Sequence, residues 1–519
     1  MVWHIFNKDW KLMWKSAAAI VALQLAYAFI QSMKEFGDDN ESLRQPLELL
    51  MSAWLIASVI WVVMLVHQDA LPGTKQDWLT RPIGRMDVLV AKVIFAVLVV
   101  QGASITGDLI QGLSSGFPLS QSFHAAILRA AIGLVWITIP ALLIGVLTQS
   151  IPDAMVTSVV FFLGIVVFMV VAIALSGGSI RQLNPTDGSG VQWIGDLLRY
   201  LLVVVGGAIV MLMQYRTRKT LLSRRVTAAM LFVMLSSQTL GWKPIFALEK
   251  RLSSQPGVAG EIAFAWRPHA ESMRNETRQD PFYGAIPNLG NPSGTLVFPL
   301  SVAGLPADSV LSEDEAAVVL ADANGRMLYA VNGKPIQIWH EDAQSGPVAY
   351  DQTVIIPPKF LQENKDRFVR VETTHSVTLF KLITSYSMAA VGGDIRMPKF
   401  GRCKSKIDGG ATDVKVDCMQ IGPGPTCATV FLEDLRDGSR NRPLSACHPN
   451  YSPYIDQPIP DSVSRFRMDL PFRDRTGRFS VDASKIGDAQ IVIRVYEPVD
   501  HFTRVVESPL VMMNELAAR

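Results

Sequence analysis

The sequence predicts two fold classes in series: an α-helical polytopic membrane domain of six or seven transmembrane helices, followed by an all-β, sandwich-like soluble domain. Three observations predict it. Of 519 residues, 49% are hydrophobic and 18% charged, too apolar an average for an ordinary soluble chain. Charge is unevenly shared: residues 1–242 carry 17 Lys and Arg against 13 Asp and Glu, and the remaining 277 residues carry 31 against 33. All four cysteines, Cys403, Cys418, Cys427 and Cys447, fall in the second part, as expected of disulfides in an oxidising compartment.

This divides the chain into a transmembrane domain at 1–242, a linker at 243–258 and an extracytoplasmic β domain at 259–519, with two modules divided near Gly392. Neither part concentrates cations on the scale of a nucleic-acid footprint, so nucleic acid is not an expected partner.

The first stretch, MVWHIFNKDWKLMWKS, mixes Trp3, Trp10 and Trp14 with Lys8, Lys11 and Lys15. Aromatic and cationic side chains together suit the headgroup level, so an interfacial helix containing Lys8, Asp9 and Trp10 is expected. The uncharged run from Ser16 to Met33 has no small-residue cleavage pattern and reads as a span rather than a signal peptide. A bilayer core requires about 20 apolar residues per helix. The candidates are 16–33, 49–66, 88–107, 130–151, 154–175 and 199–215, with a shorter seventh from Val226 to Trp242 that carries Ser236, Ser237, Gln238 and Thr239.

Lys and Arg set the orientation. With the N-terminus inside, the inner connectors hold Lys8, Lys11, Lys15, Lys75, Arg81, Arg85, Arg216, Arg218, Lys219, Arg224 and Arg225. A crossing by the seventh segment then puts the second half outside, and the expected localisation is the cytoplasmic membrane. Lys92 and Arg129 stand near span ends, where snorkelling to the interface is expected. Asp153 is expected to cap the fifth span and Pro140 to kink the fourth. No span shows a pair of opposite charges, which disfavours an ion- or proton-coupled pump.

Between the second and third spans lies a polar connector, residues 68–87. Leu71, Trp78, Leu79 and Ile83 give it an apolar edge, Pro82 ends its helical potential, and Arg81 and Arg85 flank that break. Taken alone, it reads equally as a loop that enforces topology and as a surface for an acidic groove on a soluble partner.

The stretch WLTRPIGRMDVLVAK resembles the loop joining the second and third spans of type-2 ABC transporter permeases, with its Ser/Thr-Arg-Pro-Ile/Val run, further basic residue and apolar series ending in Lys. FNKDWKLMWK is similar to the entry helix of that family, and the segment from Ser176 to Arg199 falls where the family carries short re-entrant helices. The resemblance covers about residues 1–215. The seventh segment and the large C-terminal domain depart from the simplest members. It implies a permease subunit of an ABC exporter in which Trp78, Arg81, Pro82 and Arg85 couple to a separate ATPase subunit. ATP and Mg would then sit on that partner, with no cofactor and no enzymatic centre in this chain. It also implies a homodimer or a heterodimer with another permease in the lipid bilayer. The chain has no GxxxxGK[ST] phosphate loop. The LSGGS run at 175–179 ends an apolar span and reads as a helix terminator. The alternatives are a membrane-anchored surface or sensory protein whose β domain binds a ligand or partner, and a membrane-bound hydrolase.

After Trp242, short β-rich runs such as GTLVFPLSVAG, QTVIIP and QIVIRVYEPV alternate with turn signals, and Asn324-Gly325 and Asn332-Gly333 mark hairpins. Cys403 and Cys418 lie nearly symmetrically about Gly409-Gly410, and Cys427 and Cys447 about Asp437-Gly438, so the expected pairing is 403 with 418 and 427 with 447. The histidines His269, His340, His375, His448 and His501 show no metal-ligand spacing, and no GxSxG elbow is present. A binding or structural module is therefore expected in place of a catalytic one.

Overall fold

A computed structural model of the chain describes residues 1–36, 44–69, 84–175, 192–236, 248, 259–267, 294–333, 337–340, 347–397, 401–407, 413–421, 426–436, 438, 440, 444–448, 463–471 and 483–517. The first half is helical: α1 (Val2–Phe36), α2 (Arg44–His67), α3 (Arg85–Ala96), α4 (Gly102–Ser114), α5 (Leu119–Gly133), α6 (Ile139–Leu147), α7 (Ile151–Leu175), α8 (Gln192–Thr217) and α9 (Thr220–Ser236). Six helices are long and apolar enough to cross a membrane.

The expected third and fourth spans extend further than their apolar runs. A π-helical turn, Val97–Gln101, joins α3 to α4, and a second, Leu134–Thr138, joins α5 to α6. The result is two continuous helices, Arg85–Ser114 and Leu119–Leu147. The second π turn directly precedes Pro140, which lacks the N–H needed to continue the ladder. Entry segment and first span are likewise one 35-residue helix, α1.

The spans pack through close approaches. A Cβ on Gly145 of α6 would lie 2.9 Å from Val66 Cβ of α2, and one on Gly112 of α4 would lie 2.6 Å from Ser122 Oγ of α5. Phe95, Trp61, Leu65, Val100, Leu142 and Tyr215 lie in the bundle core. α9 folds back along α8 through Arg218, which takes a left-handed φ of 55°. Its Phe232 meets Phe168 of α7 at 6.2 Å. At its start, Arg224 donates to Leu147 O at 2.9 Å and pairs with Asp153 at 3.4 Å. Asp153 is not the cap itself but the third residue of α7: Ser150 Oγ takes the cap position and accepts from Asp153 N at 3.4 Å, while Asp153 reaches back to accept from Gln149 N at 3.0 Å.

The second half is built from antiparallel sheets. β1 (Ala263–Trp266), β2 (Thr295–Ala303) and β6 (Val348–Ile355) form one sheet in the order β1-β2-β6. The largest contains β12 (Leu444–His448), β11 (Thr426–Asp434), β14 (Ala489–Glu507), β7 (Phe368–Ala389), β3 (Ser309–Asp322) and β4 (Met327–Asn332), in that order. β15 (Val511–Met512) pairs with β7, and β5 (Gln337–His340) with β3. A third sheet follows the order β13-β10-β9-β8, from β8 (Asp394–Met397), β9 (Gly401–Ile407), β10 (Asp413–Ile421) and β13 (Val463–Pro471).

β7 and β14 are long enough to serve two cores. One half packs on the three-stranded sheet through Val369, Val371, Val377, Leu379 and Phe502; the other packs on the third sheet through Met388, Ile491, Ile493 and Val495. The Asn324-Gly325 signal is a tight turn between β3 and β4: Gly325 has φ 79°, and Asp322 Oδ1 accepts from Asn324 N and Arg326 N, both at 2.9 Å. Cys403 is bonded to Cys418 across β9 and β10, and Cys427 to Cys447 across β11 and β12, in both cases between directly opposed residues. This is the pairing that the cysteine spacing selects.

The β domain rests on the bundle at the turn between α4 and α5. Arg402 N donates to Ser115 O at 3.1 Å, and Phe117 is buried with Met419 of β10 and Val463 of β13.

Candidate functional site

The strongest concentration of buried charge lies at the other end of the helix Arg85–Ser114, beside the connector. Lys92 is 1% exposed, and its Nζ lies 2.9 Å from Asp9 Oδ2 and 2.8 Å from Asp69 Oδ2. Lys8, half exposed, donates to Asp69 Oδ1 at 3.0 Å. The order of charges is therefore Asp9, Lys92, Asp69, Lys8, two of each sign, joining α1, the residues just after α2, and α3. Such a cluster tolerates burial because each charge has an opposite neighbour. Burial pushes the Asp69 carboxyl up, but the charges and hydrogen bonds of Lys92 and Lys8 outweigh it and hold the group below the ordinary carboxylate range.

This corrects the snorkelling expected of Lys92. One turn of helix places it inside the bundle wall, facing α1, and Asp9 on α1 is fully buried opposite it. The continuity of α1 explains the geometry: a separate interfacial helix would lie flat, whereas a single helix carries Asp9 into the bundle alongside Lys92. Trp10, beside it, is half exposed and meets Phe95 edge-on at 5.8 Å.

Arg129 is corrected in the same way. It pairs with Asp108, both buried, across α5 and α4. The expected absence of oppositely charged pairs in the spans is therefore overturned. Next to this pair, Gln101 extends from the first π turn into the second. With its amide oriented so that both ends find partners, its nitrogen donates to Ala130 O at 3.0 Å, while its oxygen accepts from Thr138 Oγ1 at 2.8 Å and Leu134 N at 3.2 Å. Leu134 N–H still bonds Ala130 O within α5, so the glutamine is an added polar link between the two long helices at their π turns.

Of the expected connector residues, Trp78, Arg81 and Pro82 lie outside the described residues. Arg85 is placed at the start of α3, where its Nη1 donates to Arg216 O of α8 at 3.4 Å. Both edges of the connector thus meet the bundle: Asp69 through lysines and Arg85 through a helix end. On the same side, His67 Nε2 and Thr148 Oγ1 are 2.9 Å apart.

The β domain holds a second buried polar group. His375 Nδ1 lies 2.6 Å from Glu313 Oε1, its Nε2 lies 2.9 Å from Thr373 Oγ1, and Phe264 stacks on its ring at 5.0 Å. A bulge between Glu313 and Ala316 brings the carboxylate opposite the imidazole. Burial, and then the Glu313 charge, raise the Tyr350 hydroxyl well above its usual range. His501 lies between Ser376 Oγ at 3.2 Å and Thr378 Oγ1 at 2.8 Å. Scattered in sequence, these histidines gave no spacing to read; the strand register assembles their partners. Among the described residues, no group of three or more His, Cys, Asp or Glu side chains is arranged to hold a metal ion.

Fold and site together define a multi-pass helical membrane protein with a disulfide-bonded β domain. Compared with known protein families and with curated proteins, the chain matches none.

Proposed function

We propose that this chain is the membrane-spanning subunit of an ATP-driven ABC exporter, with ATP and Mg bound by a separate ATPase subunit that docks on the connector at 68–87. The observation that carries the reading is the clamp at the two edges of that connector. Asp69 is tied to Lys92 and Lys8, and Arg85 to the end of α8. A force on the connector would therefore be delivered to α1, α3 and α8 together. The similarity of WLTRPIGRMDVLVAK to the permease loop adds the partner, and the absence of a phosphate loop in the sequence means the nucleotide site must come from elsewhere. In this reading the inward-facing cations place the connector in the cytoplasm and the β domain outside, and two permease chains complete the pathway.

The test is isolation of the native complex from membranes in mild detergent, followed by photolabelling with an azido-ATP. Labelling of a co-purifying subunit and not of this chain is the expected result. A homogeneous preparation that lacks any ATP-binding subunit and has no ATPase activity would refute the proposal.

A further inference from the structure

Where the β domain meets the helices, the bilayer surface can be located from the side chains themselves. Ile110 and Leu113 at the end of α4, and Leu119 and Phe123 at the start of α5, are all exposed. In a membrane-spanning bundle an exposed apolar face is covered by lipid tails, so the hydrocarbon reaches the turn at 115–118 and the headgroups begin there. The β8–β9 pair lies against this turn. A Cβ on Gly116 would stand 3.7 Å from Arg396 Cδ and Nε and 3.8 Å from Arg402 N.

The charge at that level is unbalanced. Arg396 of β8 is directly opposite Arg402 of β9, and Asp394 is opposite Lys404. On this face Lys404 is opposite Asp417 of β10 as well as Asp394, whereas Arg396 and Arg402 share the carboxylate of Asp394. Arg402 donates to Asp394 Oδ1 at 2.9 Å, while Arg396 has no salt-bridge partner among the described residues. Like charges directly opposed on adjacent strands repel, and a phosphodiester between them would relieve the repulsion through the forked geometry that guanidinium groups offer to phosphate.

We propose that Arg396 and Arg402 form a binding site for the phosphate of an anionic phospholipid, which pins the β8–β9 edge of the β domain to the bilayer surface. This goes beyond the transport reading and does not depend on it; it requires only that the helices span a membrane. The seat at Phe117 fixes the height of the hairpin, and the two arginines select the headgroup. Anionic lipid gains from each cation at the surface, whereas a zwitterionic headgroup does not.

The experiment is native mass spectrometry of the full chain, with both disulfides confirmed by non-reducing peptide mass, released from micelles that hold equal amounts of phosphatidylglycerol and phosphatidylcholine. Wild type is expected to retain phosphatidylglycerol preferentially. Arg396→Gln, which leaves the Arg402–Asp394 pair intact, should lower that preference by about fivefold, the scale of one cation at an anionic surface. The double variant Arg396→Gln with Arg402→Gln should lower it further, while a Lys365→Gln control away from the seat leaves it unchanged. A preference equal in wild type and in both variants overturns the proposal. So does full displacement of the lipid by millimolar inorganic phosphate, which would identify a free-anion site.

Discussion

Replacing Lys92 by Met would leave buried Asp9 with only the half-exposed Lys8 at 3.8 Å as counter-charge, and removal of one partner from a buried ion pair costs about 3–5 kcal/mol. The expected result is a marked fall in the apparent melting temperature of the detergent-solubilised chain. Adding Asp9→Leu should recover part of that loss, because two apolar side chains need no countercharge. Equal melting for wild type and the single variant would show that the pair at 2.9 Å contributes nothing. Asp69 makes a separate prediction through pH. Its folded carboxyl is held below the ordinary range, so its contribution is in place above the unfolded value of about 3.9 and is lost as pH falls below it through the folded value. Asp69→Asn should therefore narrow the stability difference between neutral and acid pH, measured by thermal melting from pH 7 down to pH 3.

At the level of elements, Gln101→Leu should weaken the contact between the two long helices. Its amide reaches Ala130 O and Thr138 Oγ1 on the other helix, and losing a hydrogen bond typically costs about 0.5–1.5 kcal/mol. Hydrogen exchange should then rise across the second π turn, residues 134–138, more than in α2 or α8; uniform protection would contradict the linking role. The same region shows where the sequence was legible. Apolar runs located all six long helices, because lipid-facing and core-facing residues are both apolar along a span. They misplaced the ends of two, since Asp108 and Arg129 look like boundaries when each is read alone. Only their pairing across α4 and α5 lets both stay inside. Lys92 was misread for the same reason: its partner Asp9 lies on another helix, and one-dimensional spacing does not report a neighbour of that kind. The cysteine pairs, by contrast, were readable, because hairpin symmetry is a local property that register then fulfils.

Across the whole molecule, a continuous helix from Arg85 to Ser114 connects the charge cluster to the seat of the β domain. At about 1.5 Å per residue its length exceeds the hydrocarbon core of a bilayer. Phe117→Ala should loosen the seat by removing the ring buried with Met419 and Val463, a change that typically costs about 3–5 kcal/mol. Limited proteolysis should then release the β domain faster than in wild type, with both disulfides still formed; an unchanged rate would show that the seat is incidental. The large-scale division into helices and sheets followed from composition, whereas the docking of one on the other did not, because a four-residue turn between apolar helices carries no sequence signal for the surface it supports.

The central claim, that the connector couples the bundle to an ATPase, is tested most directly by reversing its charges. Arg81→Glu with Arg85→Glu, expressed in the native host and purified from its membranes, should yield the chain in normal amount with a co-purifying ATP-binding subunit reduced at least about tenfold, the effect of losing charge-assisted contacts at an interface. Retention of that subunit at the wild-type ratio, with transport-coupled ATPase activity intact, would contradict the account.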